Sequence, residues 1–158
     1  TPGAAVKRVA PLSDAAHPAF GLAQEAGLRA ATPLAPRRAD RTHTLALTGA
    51  MAGYTWSFDD RPWGSHRPLT ARPGERVEIA MTNRTMMAHP IHLHGHAFQV
   101  VEIDGRRLSG ALRDTVHVPP MAQVTVALDA GAPAQWMLHC HHMPHLATGM
   151  MTELAIAA

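Results

Sequence analysis

The stretch His139-Cys140-His141-His142-Met143-Pro144-His145-Leu146-Ala147-Thr148-Gly149-Met150 decides the reading of this 158-residue chain. It sets the single cysteine between two histidines, with another histidine five residues on and a methionine ten residues on. A thiolate, imidazoles and a thioether are together the donors of a blue-copper centre, a trigonal His2Cys site with a weak axial methionine. Successive side chains of an extended strand point to opposite faces. His139 and His141 therefore share one face while Cys140 points the other way.

A second motif, His89-Pro90-Ile91-His92-Leu93-His94-Gly95-His96, repeats that alternation. His92 and His94 fall on one face, with Leu93 opposite. Two such His-x-His pairs brought together present four imidazoles to a metal cluster on one side. The sulfur of Cys140 then lies on the other side, where His89, His145 and Met150 can complete a mononuclear site.

Around these motifs the texture is that of short strands. Candidate runs are His43 to Thr48, Tyr54 to Phe58, Arg76 to Thr82, Phe98 to Ile103, Thr115 to Val118, Gln123 to Leu128, Gln135 to His139 and Met151 to Ile156. They are separated by Arg72-Pro73-Gly74, Asp104-Gly105, Pro119-Pro120 and Ala130-Gly131, all turn-forming pairs or triplets. The pattern predicts an all-β antiparallel sandwich with Greek-key connections. Residues 1–40 carry Pro2, Pro11, Pro18, Pro33 and Pro36 among many alanines and read as a linker or wrapping arm. Residues 41–158 make the domain.

Composition narrows the function. With 14 Lys and Arg against 12 Asp and Glu, the charge excess is too small for a nucleic-acid stripe. No apolar run approaches the roughly 18 residues of a membrane span. Thr1-Pro2-Gly3 has neither an initiator methionine nor a signal-peptide pattern, so the chain is expected to be mature, processed or excised. Most of the twelve histidines lie between residues 89 and 145, and their clustering carries the signal.

The H-P-x-H-L-H-G-H and H-C-H-x-x-x-H-x-x-x-G-M pair resembles the C-terminal cupredoxin domain of multicopper oxidases of the laccase-like and copper-resistance type. The resemblance spans roughly residues 43–158 and implies a cupredoxin-like sandwich. It implies that His89, Cys140 and His145, with Met150 axial, hold the type 1 copper. It further implies His92 on the type 2 copper and His94, His139 and His141 on the type 3 pair. In that family the type 1 copper takes electrons from a reducing substrate, and the trinuclear cluster reduces dioxygen to water. Cys140 and its neighbours His139 and His141 link the two. An extracytoplasmic location, periplasmic or secreted, is implied as well. Three-domain members take four more cluster histidines from another domain, and the only other such spacing here, His94-Gly95-His96, overlaps the first motif. The expectation is a complete type 1 site and half a trinuclear cluster, completed by another cupredoxin domain or chain. A symmetric homotrimer would bring only the same His-x-His faces.

Other readings compete. A free cysteine is usually a small buried hydrophobe, a Cys-His pair serves in hydrolases, and zinc takes the same donors. None of them calls for His92, His94, His139 and Met150 together, or for two ligand sets on opposite faces. A blue-copper electron carrier with vestigial cluster histidines is the alternative of a different class. His17, His43 and His66 read as packing or surface residues, His96, His117 and His142 as supporting ones. Asp114 reads as a structural hydrogen-bonding residue. Met86, Met87, Met121 and Met143 border the motifs, where they either guide Cu(I) as a substrate or fill space. Cuprous ion and phenols are equally weighted as reductants.

Overall fold

The computed structural model describes residues 21–158. Its elements in chain order are α1 (Ala23–Gly27), β1 (Arg41–Ala50), β2 (Thr55–Phe58), β3 (Leu69–Ala71), β4 (Arg76–Asn83), β5 (His89–Leu93) and β6 (Phe98–Ile103). After them come β7 (Arg106–Arg107), β8 (Leu112–Arg113), β9 (Thr115–Val118), β10 (Gln123–Asp129), β11 (Ala134–Cys140), α2 (Met143–Ala147) and β12 (Met151–Ile156). One sheet runs β2-β1-β4-β10-β6-β7, with β8 also on β6; the other runs β3-β12-β11-β5-β9. The all-β sandwich expected from the strand pattern is what forms, with the cupredoxin-like layout that the family resemblance implies.

Alternation fills the space between the sheets. Val77, Ile79 and Met81 of β4, Val124, Val126 and Leu128 of β10, and Phe98 and Val100 of β6 face one way. Ile91 and Leu93 of β5, Val116 and Val118 of β9, Leu138 of β11 and Leu154 and Ile156 of β12 join them in one apolar cluster. Cys140 belongs to that cluster and is fully buried. The buried thiol thus sits in the core of the sandwich.

Three features differ from the sequence expectation. The sandwich is mixed, because β1 pairs parallel with β4 and β3 parallel with β12. The His89 motif forms a paired strand despite Pro90. That residue gives its carbonyl to His141 N–H at 2.7 Å, while β5 lies between β11 and β9. His145, expected on a loop, stands in the single turn of α2, which Pro144 favours near its start.

Residues 21–40 lie along the first sheet. Ala30 N–H donates to the Gly110 carbonyl at 3.0 Å and Leu34 N–H to Gln99 Oε1 at 3.0 Å. Arg76 reaches back to the Ala35 carbonyl at 3.1 Å and to Asp129 Oδ1 at 2.8 Å. The prolines at 2, 11 and 18, and His17, lie outside the described residues.

Candidate metal centre

Three elements converge on the buried donor group. His89 opens β5 opposite Val118 of β9, Cys140 closes β11, and His145 comes from α2. His89 Nδ1 and His145 Nδ1 each lie 3.7 Å from Cys140 Sγ and 3.2 Å from one another. The point in that plane equidistant from all three donors is about 2.1 Å from each, within the roughly 2.0–2.3 Å of first-row metal bonds to imidazole and thiolate. The triangle therefore fits a trigonal ion, and its mixture of sulfur and imidazole suits copper.

The loop from Cys140 to Met150 is closed by its own backbone. Cys140 N–H donates to the Met150 carbonyl at 3.1 Å, and Met150 N–H to the His145 carbonyl at 3.0 Å. Met150 is itself fully buried. Gly149 has φ +119°, and a Cβ there would stand 2.6 Å from Pro62 Cβ. The glycine in H-x-x-x-G-M is thus required by both backbone and space. Trp56, 1% exposed, stacks on His145 with ring centroids 4.2 Å apart and stands edge-on to His89 at 5.3 Å. Tyr54 lies outside it, 6.2 Å from the His145 ring.

Burial sets the charge of this group in the metal-free chain. It pushes the Cys140 thiol up to about 11, and it pulls His89 down to about 3, with the charges of His145, His142 and His117 adding to the effect. His145 is lowered by burial first and His142 second. All three are uncharged near neutrality, as an apolar core demands. A metal entering here displaces the thiol proton.

On the outer face of the same strands, His139 is the register partner of His92. His94 Nε2 is 2.9 Å from His139 Nε2, and the ligand atoms of His92, His94 and His139 lie within 4.8 Å of one another. His141 stacks beside His139 at 5.8 Å and stands 5.7 Å from His92, outside that tighter grouping. Burial lowers the pKa of His139, which a hydrogen bond to the Cys140 carbonyl partly offsets before its neighbouring histidines lower it further.

The acceptors that aim these rings are visible only in the structure. His92 Nδ1–H donates to the Asp114 carbonyl and to Thr115 Oγ1, each at 3.0 Å. The Thr115 hydroxyl donates to the Asp114 carboxylate at 3.0 Å. His139 Nδ1–H donates to the Cys140 carbonyl at 3.0 Å. Both arrangements leave Nε2 for the outer group. The sequence singled out Asp114 for hydrogen bonding but gave no signal for Thr115, or for Asn83 and Thr85 behind His89. Such residues are found by register, not by motif.

Among the described residues, the other histidines lie outside the two donor groups. His96 Nδ1–H donates to the His94 carbonyl at 3.1 Å, and its Nε2 accepts Gly131 N–H at 3.0 Å. His142 precedes α2, its ring 5.1 Å from His145. His117 lines a shallow cavity with Glu25 and Arg113. His43 Nε2 pairs with the Thr70 carbonyl at 2.9 Å, and His66 stacks under Trp63 at 4.3 Å. Met86, Met121 and Met143 are strongly exposed and Met87 partly so.

Comparison with known proteins gives the same answer. Residues 36–158 match the sequence model of the family described as "Multicopper oxidase". The chain is 42% identical over 127 residues to multicopper oxidase MmcO of Mycobacterium tuberculosis, covering 79% of this chain and 25% of that protein. It is 37% identical over 120 residues to a copper resistance protein A homolog of Pseudomonas syringae pv. tomato, covering 76% of this chain and 20% of that one. Among solved structures, the McoA multicopper oxidase of Aquifex aeolicus superposes with a TM-score of 0.68 at 27% identity, over 80% of this chain and 32% of that one. The chain thus spans a quarter or less of the length of these curated relatives. It belongs to the multicopper oxidase family.

Proposed function

We propose that residues 41–158 form the electron-accepting C-terminal cupredoxin domain of a multicopper oxidase. In this reading His89, Cys140, His145 and Met150 would hold a type 1 copper. His92, His94, His139 and His141 contribute half the ligands of a trinuclear cluster. One observation carries it: the register His139↔His92 and Cys140↔Ile91 turns the sulfur into the core and the imidazoles outward from a single pair of strands. Copper at these places would supply one-electron acceptance from the reductant and, at the completed cluster, reduction of dioxygen to water. The chain's own part is connection, since Cys140 shares a peptide bond with both His139 and His141. Its other part is exclusion, because the buried group admits no water while the outer group stays open to a partner.

The remaining cluster ligands come from another cupredoxin domain or chain. Phenols and Cu(I) are the candidate reductants; the exposed methionines Met86, Met121 and Met143 support the second. A periplasmic or secreted location is part of the same proposal, in keeping with the likeness to a copper resistance protein. A stand-alone blue-copper carrier is not favoured, as the matched relatives are oxidases and the four outer imidazoles would have no use in it.

The test is copper loading of the isolated chain. We expect one tightly bound copper, visible absorption from a thiolate site, and no steady oxygen consumption until a polypeptide with two more His-x-His pairs is added. Sustained four-electron oxygen reduction by the monomer alone would overturn the half-cluster assignment.

A further inference from the structure

The turn between β4 and β5 holds a buried hydrogen-bond chain that ends on His89. Asn83, fully buried at the end of β4, donates its amide hydrogens to the carbonyls of Met87, Val118 and Pro119 at 2.7, 3.0 and 2.9 Å. Its Oδ1 is thereby turned to Thr85, whose backbone N and hydroxyl oxygen each lie 2.9 Å away. Thr85 Oγ1 also receives Met87 N–H at 3.2 Å, stands 3.0 Å from the Met87 carbonyl, and lies 2.8 Å from His89 Nε2.

A hydroxyl has one proton and two lone pairs. Asn83 Oδ1 and the Met87 carbonyl can only accept, so the Thr85 proton goes to one of them. Met87 N–H occupies one lone pair, and the other faces His89 Nε2. That nitrogen must then carry a hydrogen. In the neutral ring Nδ1 keeps its lone pair, and Nδ1 is the atom facing Cys140 Sγ and His145 Nδ1. The opposite tautomer would draw the Thr85 proton away from both carbonyl oxygens and point an N–H into the donor triangle. There His145 Nδ1 at 3.2 Å and Cys140 Sγ at 3.7 Å can each accept it, so the choice is made on the Thr85 side, where two carbonyl oxygens hold the hydroxyl proton and leave only a lone pair for Nε2.

We infer that Thr85 and Asn83 are positioning residues that hold His89 as its Nε2–H tautomer before any metal arrives, presetting Nδ1 as a ligand atom. Asn83 fixes Thr85, and Thr85 fixes the ring. The inference deepens the copper assignment and rests on it for the affinity measurement alone; the tautomer is a property of the metal-free chain.

The decisive measurement is long-range proton–nitrogen NMR on the metal-free chain with labelled histidine, the His89 ring being identified by its loss in His89→Gln. A protonated Nε2 and a bare Nδ1 are expected; a hydrogen on Nδ1 overturns the inference without any variant at Thr85. Thr85→Val keeps the shape and removes the acceptor. It should mix the tautomers and weaken Cu(I) binding by roughly 10- to 100-fold, whereas Thr85→Ser should restore both. Unchanged tautomer and affinity in a folded Thr85→Val chain overturn the inference. If that variant does not fold, the wild-type tautomer and Thr85→Ser decide. A locked tautomer in a chain that binds no copper leaves the positioning role standing and defeats the proposed function instead.

Discussion

The charge state of the buried triad makes copper affinity depend on pH in a defined way. Between pH 6.5 and 8.5 the Cys140 thiol, pushed by burial to about 11, stays protonated, and His89, pulled down to about 3, stays neutral. His145 is lowered as well. Binding a metal through all three groups therefore releases one proton, from sulfur. The association constant should rise tenfold per pH unit, a hundredfold over this range, which is about 2.7 kcal/mol. The assay is anaerobic competition for Cu(I) against a chromophoric chelator of known affinity at each pH, with proton release counted independently by calorimetry in two buffers. A slope near zero would mean that the thiolate is already formed in the metal-free chain. A slope of two or more would mean that the imidazoles are protonated there. Either result would refute the argument from burial.

Metal-free stability should itself follow pH. His89 has a folded pKa far below its usual 6.5, so the unfolded chain binds more protons between about 3 and 6.5 and stability is lost as pH falls through that window. Cys140 is raised instead, so its contribution is lost as pH rises from 9.0 to about 11. Urea denaturation under reducing conditions should show a plateau between these windows, and a maximum near pH 4 would contradict it. Gly149→Ala meets Pro62 Cβ and a backbone at φ +119°, and should lower stability by about 1–3 kcal/mol while blunting the type 1 absorption; an unperturbed chain would show that the loop can shift freely. Asp129→Ala leaves the guanidinium of Arg76, 5% exposed, without its carboxylate and takes one of two carboxylates from Arg37, which keeps Asp40. Because Asp129 is half exposed, the loss should be about 1–2 kcal/mol rather than that of a fully buried pair. Limited proteolysis near residues 35–40 should speed up, and unchanged cleavage would detach the arm from this ion pair.

Much of the site was legible because it is written in period two. His139-Cys140-His141 and His92-Leu93-His94 each declare their two faces once they are taken as strands, and no long-range knowledge is needed for that step. The partner of each face is another matter. His89 enters the buried group because it pairs with Val118 on β9 and faces inward with Ile91, and His145 because a helical turn lifts it beneath Trp56. Alternation alone showed that those two could join Cys140, and the motif resemblance implied them as ligands. The parallel pairings of β1 with β4 and β3 with β12 left no local mark, since side-chain alternation is the same in parallel and antiparallel ladders. β3 is three residues between prolines, Leu69-Thr70-Ala71, too short to show a period. Asn83, Thr85 and Thr115 were unreadable because ordinary polar residues acquire meaning only from what the fold sets against them.

The two donor groups share a ladder, and that sharing makes strand register a functional quantity. A slip of one residue between β11 and β5 would send Cys140 outward and a histidine into the core, exchanging the faces at one stroke. Several contacts oppose such a slip, and most of them lie at the ends of the shared ladder. His141 N–H holds the Pro90 carbonyl at 2.7 Å, His94 N–H holds the Met137 carbonyl at 2.9 Å, and Leu93 N–H holds the Asp114 carbonyl at 3.1 Å. Gly95, at φ +66°, turns the chain directly after His94, where Trp136 packs so closely that a Cβ would run into its ring. The residues that look like spacers in the two motifs therefore act on the chemistry indirectly. They fix which side of the sheet each donor occupies, and the copper assignment has no content unless that side is fixed.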